Sequence, residues 1–322
     1  MTKKDLKIVF LGTPEFAVGP LKALVDGGYN IRAVVTMPDK IAGRGHKLIE
    51  SDVKKYAVAA GLPVLQPANL KAPEFVEKLH EIDADLFIVI AFRMLPEVVW
   101  QMPRLGTFNL HASLLPRYRG AAPINWAIIN GDKETGVTTF FLKHEIDTGD
   151  IIGQESIPIG DDENVGSLYD RLMNLGTKMV LDTVDSIISG DGHVKSMPQP
   201  EGEFLPAPKI FTSTCQIDWS RPRESVRNLI RGLSPYPAAF TPFENADGHK
   251  ANLKIYEAAA CDSLDARDGV PGDIRTGKNL LAVKCADGWL QLTEVQLQGK
   301  KRMPASAFLL GYTPAAKIPV EA

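Results

Sequence analysis

What this chain has little of narrows its function before any motif is considered. It holds three cysteines, Cys215, Cys261 and Cys285, all in its last third and without close spacing. Such spacing offers neither a metal site nor a disulfide framework. No apolar run approaches the roughly 18 residues that a membrane-spanning helix needs. The stretch from Met1 to Lys7 is short and polar, unlike a signal or transit peptide, so a soluble, cytoplasmic protein without membrane partners is expected. Net charge is only −3 over 322 residues, which argues against a protein that coats nucleic acid by bulk attraction. From Lys209 onward, however, 15 Lys and Arg stand against 12 Asp and Glu, which leaves room for a locally basic, RNA-facing strip. Glycine is missing where one function class requires it. The first turn, Gly12-Thr13-Pro14-Glu15-Phe16-Ala17, lies where a dinucleotide fold places its fingerprint but lacks the second and third glycines. Without them the backbone cannot approach a pyrophosphate closely, which disfavours a nicotinamide-dependent oxidoreductase.

What is present is enough apolar sequence, 44%, for two domains of ordinary size. Residues 7–11 form a short apolar run. Thr13 then stands as a candidate N-cap with Pro14 at the first helical position, and apolar spacing continues to a Gly27-Gly28 stop. A second strand is predicted at 31–36, followed by a polar loop from Met37 to Lys47 and a helix at 51–60. Further strands follow at 62–65, 85–91 and 107–110. Strands alternating with helices at this spacing predict a doubly wound, largely parallel α/β sheet. Two more strands, 136–142 and 151–157, flank a tight polar turn, and helical spacing from Val165 to Ile187 predicts a long closing helix.

Between Met197 and Pro208 stand Pro198, Pro200, Pro206 and Pro208, too close together for helix or central strand, so an extended linker is expected. Beyond it, a helix near 222–232, brief strands at 253–257, 272–276, 280–285 and 289–297, and a last helix at 304–310 have the pattern of a small, OB-like β-barrel. The expected organisation is a catalytic domain at 1–196, a linker at 197–208 and a barrel domain at 209–322.

Chemistry concentrates in 109–123, Asn-Leu-His-Ala-Ser-Leu-Leu-Pro-Arg-Tyr-Arg-Gly-Ala-Ala-Pro. It follows a strand end, where open α/β sheets bind ligands. Asn109 and His111 are two apart, so on extended backbone both side chains face the same way. One supplies an amide donor, the other an imidazole able to carry a proton near neutral pH. An isolated histidine would read as a core or turn residue, but Ser-Leu-Leu-Pro followed by Arg117, Arg119 and Gly120 makes poor helix or strand and looks like a loop presenting backbone groups to a ligand. The turn Asp147-Thr148-Gly149-Asp150 alone would be ordinary hairpin chemistry. Together, an amide, an imidazole and a carboxylate make an acyl-transfer constellation.

Asn-x-His, Ser-Leu-Leu-Pro, Arg-Gly-Ala-Ala-Pro and Asp-Thr-Gly-Asp, after Gly-Thr-Pro-Glu-Phe-Ala and with Pro38-Asp39 and Ala42-Gly43-Arg44-Gly45, closely resemble the methionyl-tRNA formyltransferases nearly end to end. Asn-x-His with a distant Asp is common to folate-dependent formyltransferases and hydrolases; the Ala-Gly-Arg-Gly loop and the barrel-like tail point to the tRNA-dependent family. Two departures flank the motifs: Ala112 stands where Gly is more frequent, and Glu145-Ile146 where Gly-Leu is common. The resemblance implies formyl transfer from 10-formyltetrahydrofolate to the α-amino group of methionyl initiator tRNA. It assigns catalysis to Asn109, His111 and Asp147. Folate contacts are expected from Ser113, Leu114, Leu115, Pro116, Arg93 and Leu95, tRNA contacts from Arg44, Lys47 and Lys209, and the methionyl pocket from Phe16. Neither a metal nor a covalent enzyme intermediate is needed, and a monomer is expected. A sugar-nucleotide formyltransferase and a non-enzymatic RNA-binding protein are the alternatives.

Overall fold

The computed structural model describes residues 1–42, 47–202 and 204–319, which divide into two compact units. Neither is continuous in sequence. The first comprises Met1–Gly120, Gly136–Ile157 and Asp170–Pro206; the second comprises Ala121–Thr135, Pro158–Tyr169 and the chain from Ala207 onward. The expected linker segment up to Pro206 thus groups with the first unit, and residues 121–135 and 158–169 group with the second.

In chain order the elements are β1 (Lys7–Gly12), α1 (Val18–Asp26), β2 (Asn30–Val35), β3 (Lys40–Ala42), β4 (Lys47–Ile49), α2 (Asp52–Ala59) and β5 (Val64–Leu65). They continue with α3 (Pro73–Ile82), β6 (Leu86–Ile90), α4 (Glu97–Trp100), β7 (Thr107–His111), α5 (Pro123–Ile129), β8 (Glu134–Phe141), β9 (Ile151–Pro158) and α6 (Val165–Ser189). A seven-stranded sheet runs in the order β5-β2-β1-β6-β7-β8-β9. Pairing is parallel from β5 to β7 and antiparallel between β7 and β8. The central strands are apolar on both faces, with Val9, Phe10, Leu11, Phe87 and Ile88 inaccessible to solvent, as a parallel sheet covered on both sides requires. Chain order reverses direction between β1 and β6, because β2 and β5 extend one way and β7 the other. That reversal opens a crevice beyond the carboxyl ends of β1 and β6, the preferred ligand position of such sheets.

Two local expectations change. Thr13 does not cap a helix: Pro14 is extended (ψ 174°), residues Glu15–Ala17 form a 3-10 turn closed by the Ala17 N–H to the Pro14 carbonyl, and α1 begins only at Val18. A proline held extended cannot serve as the first helical residue. The polar loop from Met37 to Lys47 contains the strand β3, which pairs with β4 as a short hairpin. Asp39 anchors its base through an ion pair with Lys54 of α2 and by accepting from the Gln66 amide at 2.8 Å; the Lys54 ammonium holds this carboxyl below its ordinary range. Arg44, with Gly43, Gly45 and His46, lies outside the described residues.

The second unit contains α7 (Thr212–Cys215), α8 (Arg223–Leu233), β10 (Ala239–Glu244), β11 (Lys250–Ala260), β12 (Ile274–Gly277), β13 (Leu280–Lys284), β14 (Trp289–Leu297), β15 (Met303–Pro304) and α9 (Ala305–Gly311). Strand β10 was not expected from the sequence, and Pro242 lies within it. It is an edge strand, the place where a sheet tolerates proline. Antiparallel pairing runs β10-β11-β14-β13-β12, with β15 on β14. The chain after α9 then bridges the two ends of this order. The Ala315 N–H donates to the Glu244 carbonyl at the end of β10, and the Ile274 N–H of β12 donates to the Ala316 carbonyl. One short segment thereby ties an end of each edge strand, a device by which a small barrel limits its unpaired edges. Inside, Phe308 of α9 meets Phe243 edge to face at 5.4 Å and stacks on Tyr312 at 4.8 Å. Helix α5 packs on α8: a Cβ on Gly232 would approach Ile129 to 2.6 Å, and the Asn125 amide donates to the Gly232 carbonyl at 2.8 Å.

Candidate active site

Strand β7 carries Asn109 and His111 between β6 and β8, with Asn109 beside Val89 and Phe140 and His111 beside Thr138. The expected alternation holds: Asn109 is half-buried and His111 buried on the same face of the strand. Among the described residues the Asn109 amide has no hydrogen-bond partner. Among the described residues the imidazole is hydrogen-bonded at one nitrogen, where Nε2 lies 2.8 Å from the Tyr118 carbonyl. A carbonyl can only accept, so Nε2 carries the hydrogen and Nδ1 is the nitrogen left to exchange a proton.

That nitrogen faces Asp147, whose Oδ2 is 3.9 Å from Nδ1, with side-chain exposures of 8% for His111 and 15% for Asp147. The approach is not a simple hairpin. The loop after β8 leaves beside the amino end of β7, where the Leu142 N–H donates to the Thr107 carbonyl at 2.8 Å. It then folds back along the strand until Asp147 reaches the far end. The carboxylate accepts from the Gly120 N–H at 2.9 Å. Gly149 allows the fold-back, since a Cβ there would lie 1.5 Å from the Phe141 carbonyl oxygen. At 3.9 Å the imidazole and carboxylate are too far apart for a direct hydrogen bond. They are close enough for charge stabilisation or for a proton relay through one intervening group.

Three non-glycine residues with left-handed backbone, Ala91 (φ 46°), Tyr118 (φ 59°) and Asp147 (φ 56°), lie in the loops that follow β6, β7 and β8. Such conformations persist only where surroundings over-determine them, and they concentrate at functional sites.

The loop 113–116 is fastened from beneath. Thr138 Oγ1 donates to the Ser113 carbonyl at 2.7 Å and accepts from the Leu115 N–H at 3.1 Å, while the Gln154 amide donates to the Leu115 carbonyl at 2.7 Å. Ser113 is fully buried, its hydroxyl donating to the Arg117 carbonyl at 2.7 Å; Leu115 and Pro116 are buried and Leu114 half-buried. Neither Thr138 nor Gln154 was singled out from the sequence: a threonine and a glutamine in strands carry no signal of their own. Arg93 directs Nη1 to the Ala68 carbonyl at 2.9 Å and Nη2 to the Pro67 carbonyl, and burial lowers its pKa. Leu95 packs in the apolar layer with Val9, Leu11 and Val99. Phe16 is buried in the turn after β1. Lys209 lies in the second unit, exposed, with its ammonium 5.7 Å from the Phe211 ring centroid. Lys47 begins β4. Of the departures from the family pattern, Ala112 avoids left-handed backbone and so tolerates its Cβ, and Glu145 and Ile146 are exposed.

The chain matches two families along most of its length: formyl transferase over residues 6–184, and formyl transferase, C-terminal domain, over residues 209–313. A methionyl-tRNA formyltransferase of Bacteroides fragilis is 57% identical over 317 residues, covering 97% of each chain. Another, of Parabacteroides distasonis, is 55% identical over 328 residues, covering 99% of this chain and all of that one. Among solved structures, the sugar 3N-formyltransferase WlaRD, determined in the presence of dTDP and 5-N-formyl-THF, aligns with a TM-score of 0.66 at 20% identity over 92% of this chain and 99% of its own. That likeness concerns the fold. Identity above half across nearly the full length is a stronger relation, and by it this chain belongs to the methionyl-tRNA formyltransferase family.

Proposed function

We propose that this chain transfers the formyl group of 10-formyltetrahydrofolate to the α-amino group of methionyl initiator tRNA, using Asn109, His111 and Asp147. The single observation that carries the assignment is the arrangement of His111, held at Nε2 by Tyr118 with Nδ1 3.9 Å from the Asp147 carboxylate. The donor fits the crevice on physical grounds. Among the described residues, Thr13 Oγ1, just after β1, is buried without a hydrogen-bond partner, and the Asn109 amide two strands away is unpartnered. Both are polar groups that a ligand rich in donors and acceptors would satisfy. Ser113 to Pro116, with Arg93 and Leu95 on the neighbouring segment, would bound the folate; Phe16 would line the methionyl pocket.

The reaction joins the amine nitrogen to the formyl carbon and breaks the bond from that carbon to the folate nitrogen. As the amine attacks, the formyl oxygen becomes negative, and the Asn109 amide would donate to it; one such donor is worth about 3 kcal/mol. The amine must lose a proton and the departing folate nitrogen must gain one. With Nε2 engaged by Tyr118, His111 handles that proton at Nδ1, and Asp147 stabilises the charge that appears there. General catalysis of this kind contributes about 10² to 10⁴ in rate. No side chain needs to be acylated.

The part of the second unit from Lys209 onward would supply phosphate contacts, which position a nucleic acid without reading its sequence. Arg44 and Lys47 would approach the acceptor stem. The protein would act as a cytoplasmic monomer; no helix among the described residues is long and apolar enough to cross a membrane. The test is turnover with formyl-folate and aminoacylated initiator tRNA, run beside uncharged tRNA and an amino-sugar nucleotide. Product with the aminoacylated tRNA alone is expected, and formylation of the sugar nucleotide instead would reassign the acceptor.

A further inference from the structure

Three consecutive residues of the loop after β7 each tie down a different part of the site. The Tyr118 carbonyl holds His111 Nε2, the Gly120 N–H holds the Asp147 carboxylate, and between them Arg119 reaches neither. Its guanidinium instead donates to the side chain of Gln199, with Nη2 at 2.6 Å and Nε at 3.2 Å from Oε1. Gln199 belongs to the proline-rich stretch that the sequence presents as a plain linker. Its amide nitrogen donates to two carbonyls of the catalytic turn, Asp147 at 2.8 Å and Gly149 at 2.9 Å.

The amide has only one orientation that satisfies these partners. A guanidinium only donates, so the carbonyl oxygen of Gln199 must face it. The two hydrogens of the amide nitrogen then serve the two main-chain acceptors, and no capacity is left over. Flanking main-chain pairs hold the stretch in place: Met197 exchanges hydrogen bonds with Ile151 at 2.7 and 2.8 Å, and the Leu205 carbonyl accepts from the Tyr118 N–H at 2.7 Å. The stretch therefore grips both loops that carry the site.

We propose that Gln199 is a positioning residue for formyl transfer, holding the left-handed Asp147 turn so that its carboxylate faces His111, and that Arg119 fixes the orientation of the Gln199 amide. The inference rests on the assignment of Asp147 to catalysis. Its physical basis is that an aspartate with φ 56° needs external partners to stay there. The Gly120 N–H restrains only the carboxylate; the Gln199 amide restrains the main chain at Asp147 and two residues beyond. Without it the turn can relax, and misplacement by about 1 Å is enough to lower a rate about a hundredfold.

The test uses the full-length enzyme with Gln199→Leu, Gln199→Glu and Arg119→Lys, alone and combined with Asp147→Asn. The glutamate variant keeps the size and the pairing with Arg119 but cannot donate to the two carbonyls, and it serves if the leucine variant does not fold. Both are expected to lower kcat about tenfold to a hundredfold with KM for either substrate changed less than about twofold, because the loss is confined to the transition state. Arg119→Lys, which keeps a donor, is expected to retain more activity than either. In the Asp147→Asn background Gln199→Leu should change the residual rate by less than about twofold, since both act through one group. Normal kcat in the folded Gln199 variants, a loss carried wholly by KM, or an equal loss with and without Asp147 would overturn the inference. Should Asp147→Asn itself keep activity within about tenfold of wild type, a loss too small for a proton-transfer group, the catalytic assignment fails instead.

Discussion

The candidate catalytic groups of the first unit and two buried cations of the second handle their polar atoms in opposite ways. In the first, Asn109 is unpartnered among the described residues, His111 is held at one nitrogen, and Asp147 stands 3.9 Å from it rather than bonded to it. In the second, Arg231 is buried with Nε donating to Asn228 at 2.8 Å and Nη1 to the Glu163 carbonyl at 3.1 Å, and buried Lys284 donates to the Cys285 carbonyl at 2.9 Å. A group committed to its neighbours stabilises the fold and has nothing left for a ligand. A group left under-committed inside a rigid frame is available for chemistry. The contrast teaches that the candidate catalytic groups differ from these two cations in what their surroundings leave unsatisfied.

The sharpest way to break that contrast is Asp147→Asn. Asparagine tolerates left-handed backbone and can still accept from Gly120, so the fold should survive, while transfer falls by about 10² to 10⁴ through loss of the charge. Steady-state assay beside thermal unfolding checks both halves, and a rate near wild type would place Asp147 with the structural acids.

A smaller loss is expected from Arg44→Leu, which tests the segment between β3 and β4 rather than the crevice. Efficiency with methionyl-tRNA should fall more than about tenfold with folate affinity unchanged, and lysine should restore only part because it lacks the planar fork. Measuring both substrates separately, with an acceptor stem bearing a strong first base pair as control, decides whether this loop reads RNA.

In the second unit the effect should appear in stability instead. Arg231→Met removes the donor of the Asn228 oxygen and of the Glu163 main-chain carbonyl, and a loss of about 2 to 4 kcal/mol is expected from unsatisfied buried acceptors. Denaturant unfolding measures it; unchanged stability with reduced turnover would mean that this arginine serves a substrate.

The mildest effect concerns alkaline pH. Burial pushes the Cys285 thiol from its ordinary 9.0 up to about 12, with nearby Asp287 adding to the shift. Above the ordinary value the unfolded chain loses a proton that the folded chain keeps, so this contribution to stability is intact below about pH 9 and is lost as pH rises toward 12. The melting temperature of Cys285→Ala should therefore decline less steeply than that of wild type above pH 9. Native protein should also resist thiol reagents at pH 8, since all three cysteines are buried; rapid labelling would contradict that inertness.

The sequence alone determined the repetitive parts of the architecture. Alternating apolar runs and helical spacing are local patterns, and they announced the parallel sheet, the long α6 and most barrel strands because each element buries a face set by its own periodicity. Asn109 and His111 were marked out by the motif around them and its family resemblance, and their spacing of two put both on one side of a strand. Other features depended on partners far away in the chain. Helix α5 lies in the middle of the expected catalytic domain, yet it packs on α8 about a hundred residues later because each leaves an apolar face that the other covers. The fold-back of the Asp147 loop depends on an unhindered Phe141 carbonyl beside Gly149, and the role of Gln199 depends on carbonyls some fifty positions earlier. Only the tertiary structure decides such matters, because a hydrogen bond between distant residues leaves no periodicity in either segment: the amide of Gln199 is one polar side chain among prolines until the folded chain sets it against Arg119 and the Asp147 turn.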